Sequence, residues 1–503
     1  MKIKTKQDLK KFSNAVAILP EKDGLQTKIV TRHFDVINPQ DICDYFGVGG
    51  YCALEKCLSS YSSQQVIDIV SESGLRGRGG GGFLTGKKWQ LASQNQSNQK
   101  WIVCNCDEGD PGAFMDRAII EKNPHAIIEG MAIAAYATGA NMGVCYVRAE
   151  YPLAASRMKS AIKAARECGI LGKNIFGSSF CFDIEVVLGA GAFVCGEETA
   201  LIASCHGRRG EPSQKPPYPA QSGLFNQPTV INNVETLAAV APIIENGAKW
   251  FKSFGTKTSA GTKVFALSGC VKNAGLFEVE MGTSIKTLVE KIGGAQDVKA
   301  VQLGGPSGGC LPWHLCDVEI DYESLLAHGA MMGSGGIIVL SKSTCMVDMT
   351  KFFLQFSCNE SCGKCTPCRI GNARMLEIVQ KICDGKARMA DLDKLKGLCQ
   401  YIKTSSLCGL GQTSPNPVLA ALKYFEDEFL EHILNHNCPA KVCKALVNYK
   451  ITQKCIACGA CKRICPTNAI DGETKKPPFV ICDEKCIRCG SCKKICPISA
   501  ITN

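Results

Sequence analysis

The chain has 503 residues, room for three or four domains, and carries 50 Gly, 32 Cys and a formal net charge of +11. Secreted disulfide scaffolds are small, whereas this chain is long, and the basic Met1–Lys6 start runs into Asp8-Leu-Lys-Lys with no apolar segment, so no signal peptide is expected. A reducing cytoplasm, in an anaerobe, is expected. The longest apolar stretch, 131–147, is interrupted by Thr138, Gly139, Asn141 and Gly143, which excludes a membrane span.

In chain order, residues 1–60 read as a loosely ordered arm with turns at Asn38-Pro39 and Gly47–Gly50. Apolar spacing predicts a helix over 62–73, ended by Gly74. Strand-like and helical runs then alternate (101–104, 123–137, 143–148, 153–167, 184–188, 197–204), which predicts an α/β domain with a mostly parallel sheet over 61–255. After the Pro-rich 211–219 loop, short strands, Gly pairs and a helix at 284–292 predict a β-grasp-like domain over 256–345. A helical bundle is expected over 346–437, and a repeat module, behind a linker near Asn448, over 438–503.

That repeat is Cys455-Ile-Ala-Cys458-Gly-Ala-Cys461-Lys-Arg-Ile-Cys465-Pro466 and, 31 residues on, Cys486-Ile-Arg-Cys489-Gly-Ser-Cys492-Lys-Lys-Ile-Cys496-Pro497. It resembles two-cluster bacterial ferredoxins, where three thiolates hold one [4Fe–4S] cluster and the fourth reaches the other. Carried over, Cys455, Cys458, Cys461 and Cys496 hold one cluster; Cys486, Cys489, Cys492 and Cys465 hold the second. A zinc or disulfide knot is the alternative. From Cys438 onward twelve Lys or Arg stand against four Asp or Glu. Each cluster brings a charge of about −2. The basic excess therefore reads as compensation plus a docking face for an acidic electron carrier, not as a nucleic-acid footprint.

The bundle supplies Cys362-Gly-Lys-Cys365-Thr-Pro-Cys368 and a remote Cys408, which suit a cuboidal cluster with one thiolate per iron; zinc is the alternative. Cys438, Cys443 and Cys358, with His432 or, one turn on, His436, form a candidate Cys3His zinc site pinning the C-terminal module to the bundle.

The run Gly74-Leu-Arg76-Gly77-Arg78-Gly79-Gly80-Gly81-Gly82-Phe83 follows a helix, not a strand, so it is no Rossmann fingerprint. Glycines this dense, beside Arg76, Arg78, Lys87 and Lys88, suit backbone N–H approach to phosphates; a linker is the alternative. Gly189-Ala-Gly191 through Cys195-Gly196-Glu197-Glu198-Thr199 runs strand, glycines, helix, where the acids could also complement a helix dipole. Cys104-Asn105-Cys106-Asp107-Glu108-Gly109-Asp110 follows a strand, where open α/β sheets bind ligands.

Together with Lys215-Pro-Pro-Tyr218-Pro-Ala and Ile231-Asn232-Asn233-Val-Glu-Thr236, this text resembles the NADH-binding flavoprotein subunit of respiratory complex I and its relatives in NAD-linked hydrogenases and formate dehydrogenases, over about residues 33–430. The resemblance implies FMN cradled by Arg76, Gly77, Arg78, Gly79, Gly80, Lys88, Asn105, Asp107, Gly196, Glu197, Asn232, Asn233 and Thr236. It implies NADH on the flavin near Glu198, with Phe83 and Tyr218 gripping adenine, Lys215 nearby, and Glu108 and Glu198 as catalytic carboxylates. Leu91 departs from a third adenine-stacking aromatic. With the C-terminal extension, the chain resembles flavin subunits of electron-bifurcating hydrogenases, formate dehydrogenases and transhydrogenases. The implied set is FMN, NAD(H), three [4Fe–4S] clusters and one structural zinc. The implied partners are a thioredoxin-like [2Fe–2S] small subunit, a further catalytic subunit and ferredoxin. A plain NADH diaphorase subunit, or a wiring subunit without catalysis, is the alternative.

Overall fold

The computed structural model describes residues 2–12 and 21–502. Its centre is a four-stranded parallel sheet in the order Asp183–Gly189, Met142–Arg148, Trp101–Cys106, Thr229–Asn233. Helices cover both faces, so the central strand is apolar without alternation: Ile102, Val103 and Cys104 are all buried. Helix Pro124–Thr138 is buried nearly all round, as its Ala- and Ile-rich sequence permits; Asn123 caps its start and left-handed Gly139 its end. From Trp101–Cys106 the chain winds one way to two strands and returns on the other side to Thr229–Asn233. That reversal opens a crevice beyond the carboxyl ends of these two strands.

The N-terminal segment, expected to be a loose arm, is instead part of the core across its described residues. Helices Ile42–Gly47 and Cys52–Ser60 bury Tyr45, Phe46 and Leu54. The buried carboxylate of Glu129 accepts from Tyr45 Oη and from the N–H groups of Tyr51 and Leu54. Glu278 likewise takes the N–H groups of Ile29, Val30 and Thr31. These long-range carboxylates satisfy backbone that local sequence leaves unpaired, and helices of 6 and 9 residues are too short to show a clear period.

A second, five-stranded sheet runs Gly309–Pro312, Val298–Leu303, Gly336–Ser341, Thr262–Gly269, Gly275–Glu280, with one parallel pair. Its loops at 304–307 and 331–335 lean over the first sheet's crevice, where Ser334 Oγ donates to Asp110 Oδ2 at 2.7 Å. Helices Met346–Asn359, Thr366–Cys383, Met389–Ser405, Asn416–Tyr424 and Glu426–Leu434 pack around Met375, Val379, Leu395 and Phe429. The C-terminal module closes on itself, Lys450–Ile451 pairing with Ile501–Thr502. Among the described residues no helix is long and apolar enough to cross a membrane.

Candidate functional site

The crevice holds a cavity of about 310 Å³, within the range of small-molecule sites. Gly79, Gly80 and Gly81 form one wall, Asn105, Asp107 and Glu108 the floor, and Gly196, Glu197 and Asn233 another side. Asn105 is held by Gly196 O and by the Asp107 N–H, and Asn233 Nδ2 by Asp116. The glycines are required here: Gly80 has φ +120°, and a Cβ at Gly79 would sit 3.1 Å from Asn233 Cβ. Both Asp107 carboxylate oxygens and Asp110 Oδ1 are buried without a hydrogen-bond partner, although Arg148 Nη1 stands 3.7 Å from Asp107 Oδ1. Burial lifts Asp107 to about 7 against the pull of Arg148, and Asp110 to about 6 against Ser334. Glu108 is likewise raised to about 7 by burial although Arg117 and Asp116 donate N–H bonds. Orphaned polar atoms at a glycine-lined, helix-flanked cavity fit a polar, flat, phosphate-bearing group such as FMN.

Five residues of the expected flavin set stand behind this wall. Arg78 is buried and donates to Ala260 O, while its N–H donates to Thr236 Oγ1. Arg76 reaches away to Glu323 at 2.6 Å and lies over the Tyr322 ring, whose hydroxyl donates to Gly77 O. Asn232 accepts from Trp89 Nε1. Arg76 and Arg78, expected to face a phosphate, thus brace the glycine loop from outside. Sequence reasoning missed Ser307, Met331, Gly333, Ser334, Leu410 and Thr413, which line the cavity from the second sheet and the bundle. Their only sequence signal is the Gly304/Gly333 pair, whose backbones cross too closely for any Cβ.

A second cavity, about 400 Å³ and mostly apolar, is lined by Phe83, Lys88, Leu91, Glu198, Lys215 and Tyr218. It adjoins the first through the neighbouring acids at the start of helix Glu198–Cys205. Glu197 caps that helix and accepts from Lys215 Nζ at 2.8 Å; burial raises its pKa, but the bonds from Lys215 and Thr199 outweigh it and the net shift is down. Lys88, expected among the flavin residues, instead lines this second cavity and pairs with Glu198 at 2.5 Å, and Glu198 stands 4.0 Å from Lys215. Two cations and two carboxylates, with exposed Phe83 and Tyr218 at the rim, suit a nucleotide with an aromatic base.

One cysteine loop of the bundle reaches the first cavity. Gly409, Leu410 and Thr413, immediately after Cys408, form part of its wall, and Phe193 N–H donates to Glu360 Oε2 beside Cys362. Cys368 Sγ accepts from Asn372 Nδ2 at 3.4 Å. In the C-terminal module, one small apolar cavity is lined by Cys455, Cys458, Cys461 and Cys496, the other by Cys486, Cys489, Cys492 and Cys465. Each takes three thiols from one run and the fourth from the other. The repeats match in detail, with N–H bonds to Cys455 and Cys486 Sγ from the residue two further on.

Residues 70–242 match the family described as Nuo51 FMN-binding domain, 348–432 the NADH-ubiquinone oxidoreductase-F iron-sulfur binding region, and 449–471 with 483–502 the 4Fe-4S binding domain. The chain is 54% identical to NADP-reducing hydrogenase subunit HndC of Solidesulfovibrio fructosivorans over 90% of its own length and 93% of that protein's. It is 44% identical to an NADH-quinone oxidoreductase component of Rhizobium meliloti, over 82% and 99% respectively. The chain belongs to the Nuo51 flavoprotein family. The crystal structure of an air-oxidized NAD+-reducing [NiFe]-hydrogenase is similar in fold, with a TM-score of 0.71 at 32% identity over 83% of this chain and 68% of that one. This Nuo51 homologue is therefore an NAD(H)-dependent flavin and iron–sulfur oxidoreductase subunit.

At the end of its bundle, four ligand atoms lie within 4.8 Å of one another: Cys345, His432, Cys438 and Cys443, all buried. Cys345 Sγ is 3.8 Å from Cys443 Sγ and 3.5 Å from His432 Nε2. Tetrahedral zinc with Zn–S near 2.3 Å and Zn–N near 2.0–2.1 Å has edges of about 3.8 and 3.5 Å. His432 Nδ1 bonds Glu428 O, which leaves Nε2 for a metal. Cys345, and not the expected Cys358, completes this group. Both belong to helix Met346–Asn359, Cys345 as its N-cap and Cys358 near its far end, about 20 Å away at 1.5 Å per residue. His436 is not in the group.

Proposed function

We propose that this chain is the NAD(H)-handling subunit of a cytoplasmic electron-bifurcating complex that couples NAD(H), ferredoxin and a further redox partner. The observation that carries the reading is the shared wall: the loop after Cys408 lines the flavin cavity, and the same chain continues into the two-cluster module. All 32 cysteines are unpaired, which supports a reducing compartment.

In this reading Gly79, Gly80, Asn105, Asp107, Gly196, Glu197 and Asn233 hold FMN, while Arg76, Gly77, Arg78, Asn232 and Thr236 keep the glycine loop in place. Bound flavin supplies the exchange between two-electron hydride chemistry and one-electron carriers. Phe83 and Tyr218 flank the adenine, and Lys88 and Lys215 release their hold on Glu198 and Glu197 to face the dinucleotide. Glu108, neutral or ionised near pH 7, is placed to hold a proton at the cavity floor. Three [4Fe–4S] clusters sit in the bundle and the C-terminal module, and zinc at Cys345, His432, Cys438 and Cys443 joins the 346–437 and 438–503 segments. A thioredoxin-like [2Fe–2S] subunit and a hydrogenase, formate dehydrogenase or transhydrogenase-type subunit complete the complex. The test is steady-state ferredoxin reduction by NADH in the native complex. The proposal expects it only when the second substrate is present; equal rates with and without it would indicate a single-path diaphorase.

A further inference from the structure

Cys383 ends helix Thr366–Cys383 and is buried. Its Sγ lies within 4.8 Å of Cys443 Sγ and of an Asp348 carboxylate oxygen, so Cys443 belongs both to this group and to the Cys345–His432–Cys438–Cys443 set. Four ligands saturate tetrahedral zinc, which leaves Cys383 as a fifth, unassigned polar group against the site. Asp348 is already committed to Lys351 Nζ at 2.6 Å, which argues against a second metal there.

The other three ligands each have one outer partner. Cys345 Sγ accepts from the Asp348 N–H at 3.5 Å, Cys438 Sγ from the Cys443 N–H at 3.5 Å, and His432 Nδ1 is held by Glu428 O at 2.6 Å. Among the described residues, Cys345 and Cys438 Sγ each accept a backbone N–H and Cys443 Sγ accepts none in these bonds. A metal-bound thiolate carries no proton and can only accept, so any hydrogen in the Cys383–Cys443 contact must come from Cys383.

Resting on the zinc reading above, we propose that Cys383 is a positioning residue whose S–H donates to the metal-bound Sγ of Cys443. The bond fixes the thiolate's direction and withdraws part of its charge, as outer partners of metal ligands do. No electron or ligand is exchanged; the thiol stays protonated.

The test uses the full chain, purified anaerobically, as wild type, Cys383→Ala and Cys383→Ser. Zinc retention is measured against a competing chelator, and cobalt-reconstituted protein gives the sulfur-to-metal charge-transfer band. Cys383→Ala is expected to hold zinc roughly 10- to 100-fold more weakly and to shift that band. Cys383→Ser, which keeps a donor of similar size, should recover most of both, and iron content should match wild type in all three. Zinc-loaded wild type with an unchanged Cys383→Ala variant would overturn the proposal alone. So would equal loss in Ala and Ser, which would point to packing, or two zinc ions per wild-type chain falling to one in Cys383→Ala, which would make Cys383 a ligand. Wild type without zinc would instead remove the underlying metal reading.

Discussion

Gly80 and Gly81 separate what the glycine loop owes to the fold from what it owes to the ligand. Gly80 has φ +120°, and an added Cβ would meet the Gly333 backbone at 3.3 Å. An L-residue held there costs about 1–3 kcal/mol, so Gly80→Ala should weaken FMN binding to apoprotein roughly 5- to 150-fold and lower the melting temperature as well. Gly81 lines the same cavity, yet a Cβ there would meet no protein atom within 4 Å. Gly81→Val should therefore leave the apoprotein's melting temperature within a degree or so, because its Cβ stands in open space and the change reduces unfolded-chain entropy. Its branched side chain would still obstruct the flavin, with a loss of about tenfold or more. Flavin fluorescence quenching on titration of apoprotein gives the affinity, and thermal unfolding of the same samples gives the control. Wild-type FMN affinity in Gly81→Val would refute the reasoning and reduce the run to a linker.

Glu198→Ala removes the carboxylate that Lys88 releases beside the dinucleotide, and should raise the KM for NADH roughly 10- to 150-fold, the worth of one charge-assisted hydrogen bond from the nucleotide to that carboxylate, with FMN content unchanged; loss of flavin in that variant would show that the residue only starts its helix. Asp107 and Glu108 are held up near 7 by burial, so the empty cavity turns anionic as pH rises from 6 to 8. FMN affinity of apoprotein should then fall by roughly tenfold over that range, and Asp107→Asn should flatten the fall; a flat wild-type profile counts against it. Cys443→Ser should release zinc and slow electron transfer to ferredoxin, while NADH oxidation by a dye at the flavin stays within about twofold; an unchanged ferredoxin rate in zinc-free protein would deny the site its joining role.

Much of this arrangement could be read from local pattern. The two cysteine-lined cavities are spelled out by duplicated cysteine spacing, down to the exchange of Cys465 and Cys496, and the parallel strands by apolar runs between helices. What resisted reading depends on distance in the chain. Cys345 carries no motif, and its place beside His432 follows from where its helix begins; Cys358, closer to the cluster loop in sequence, sits at the wrong end of a 14-residue helix. Arg76 and Arg78 looked like phosphate ligands because charge beside glycine usually is, but Glu323 and Ala260 draw them outward. The N-terminal helices are held by Glu129 and Glu278, acids that no local rule connects to them.

The central claim is that the Cys362, Cys365, Cys368 and Cys408 loop is the flavin's outlet to the rest of the chain, and Cys365→Ser tests it most directly. In the native complex, with the further redox partner's substrate present, NAD+ reduction by reduced ferredoxin is measured beside NADH oxidation by a dye and total iron. Cys365→Ser should lose about four irons out of roughly twelve, with ferredoxin-dependent NAD+ reduction at background and dye activity preserved. Full iron content, or wild-type NAD+ reduction from ferredoxin after those irons are lost, would contradict it.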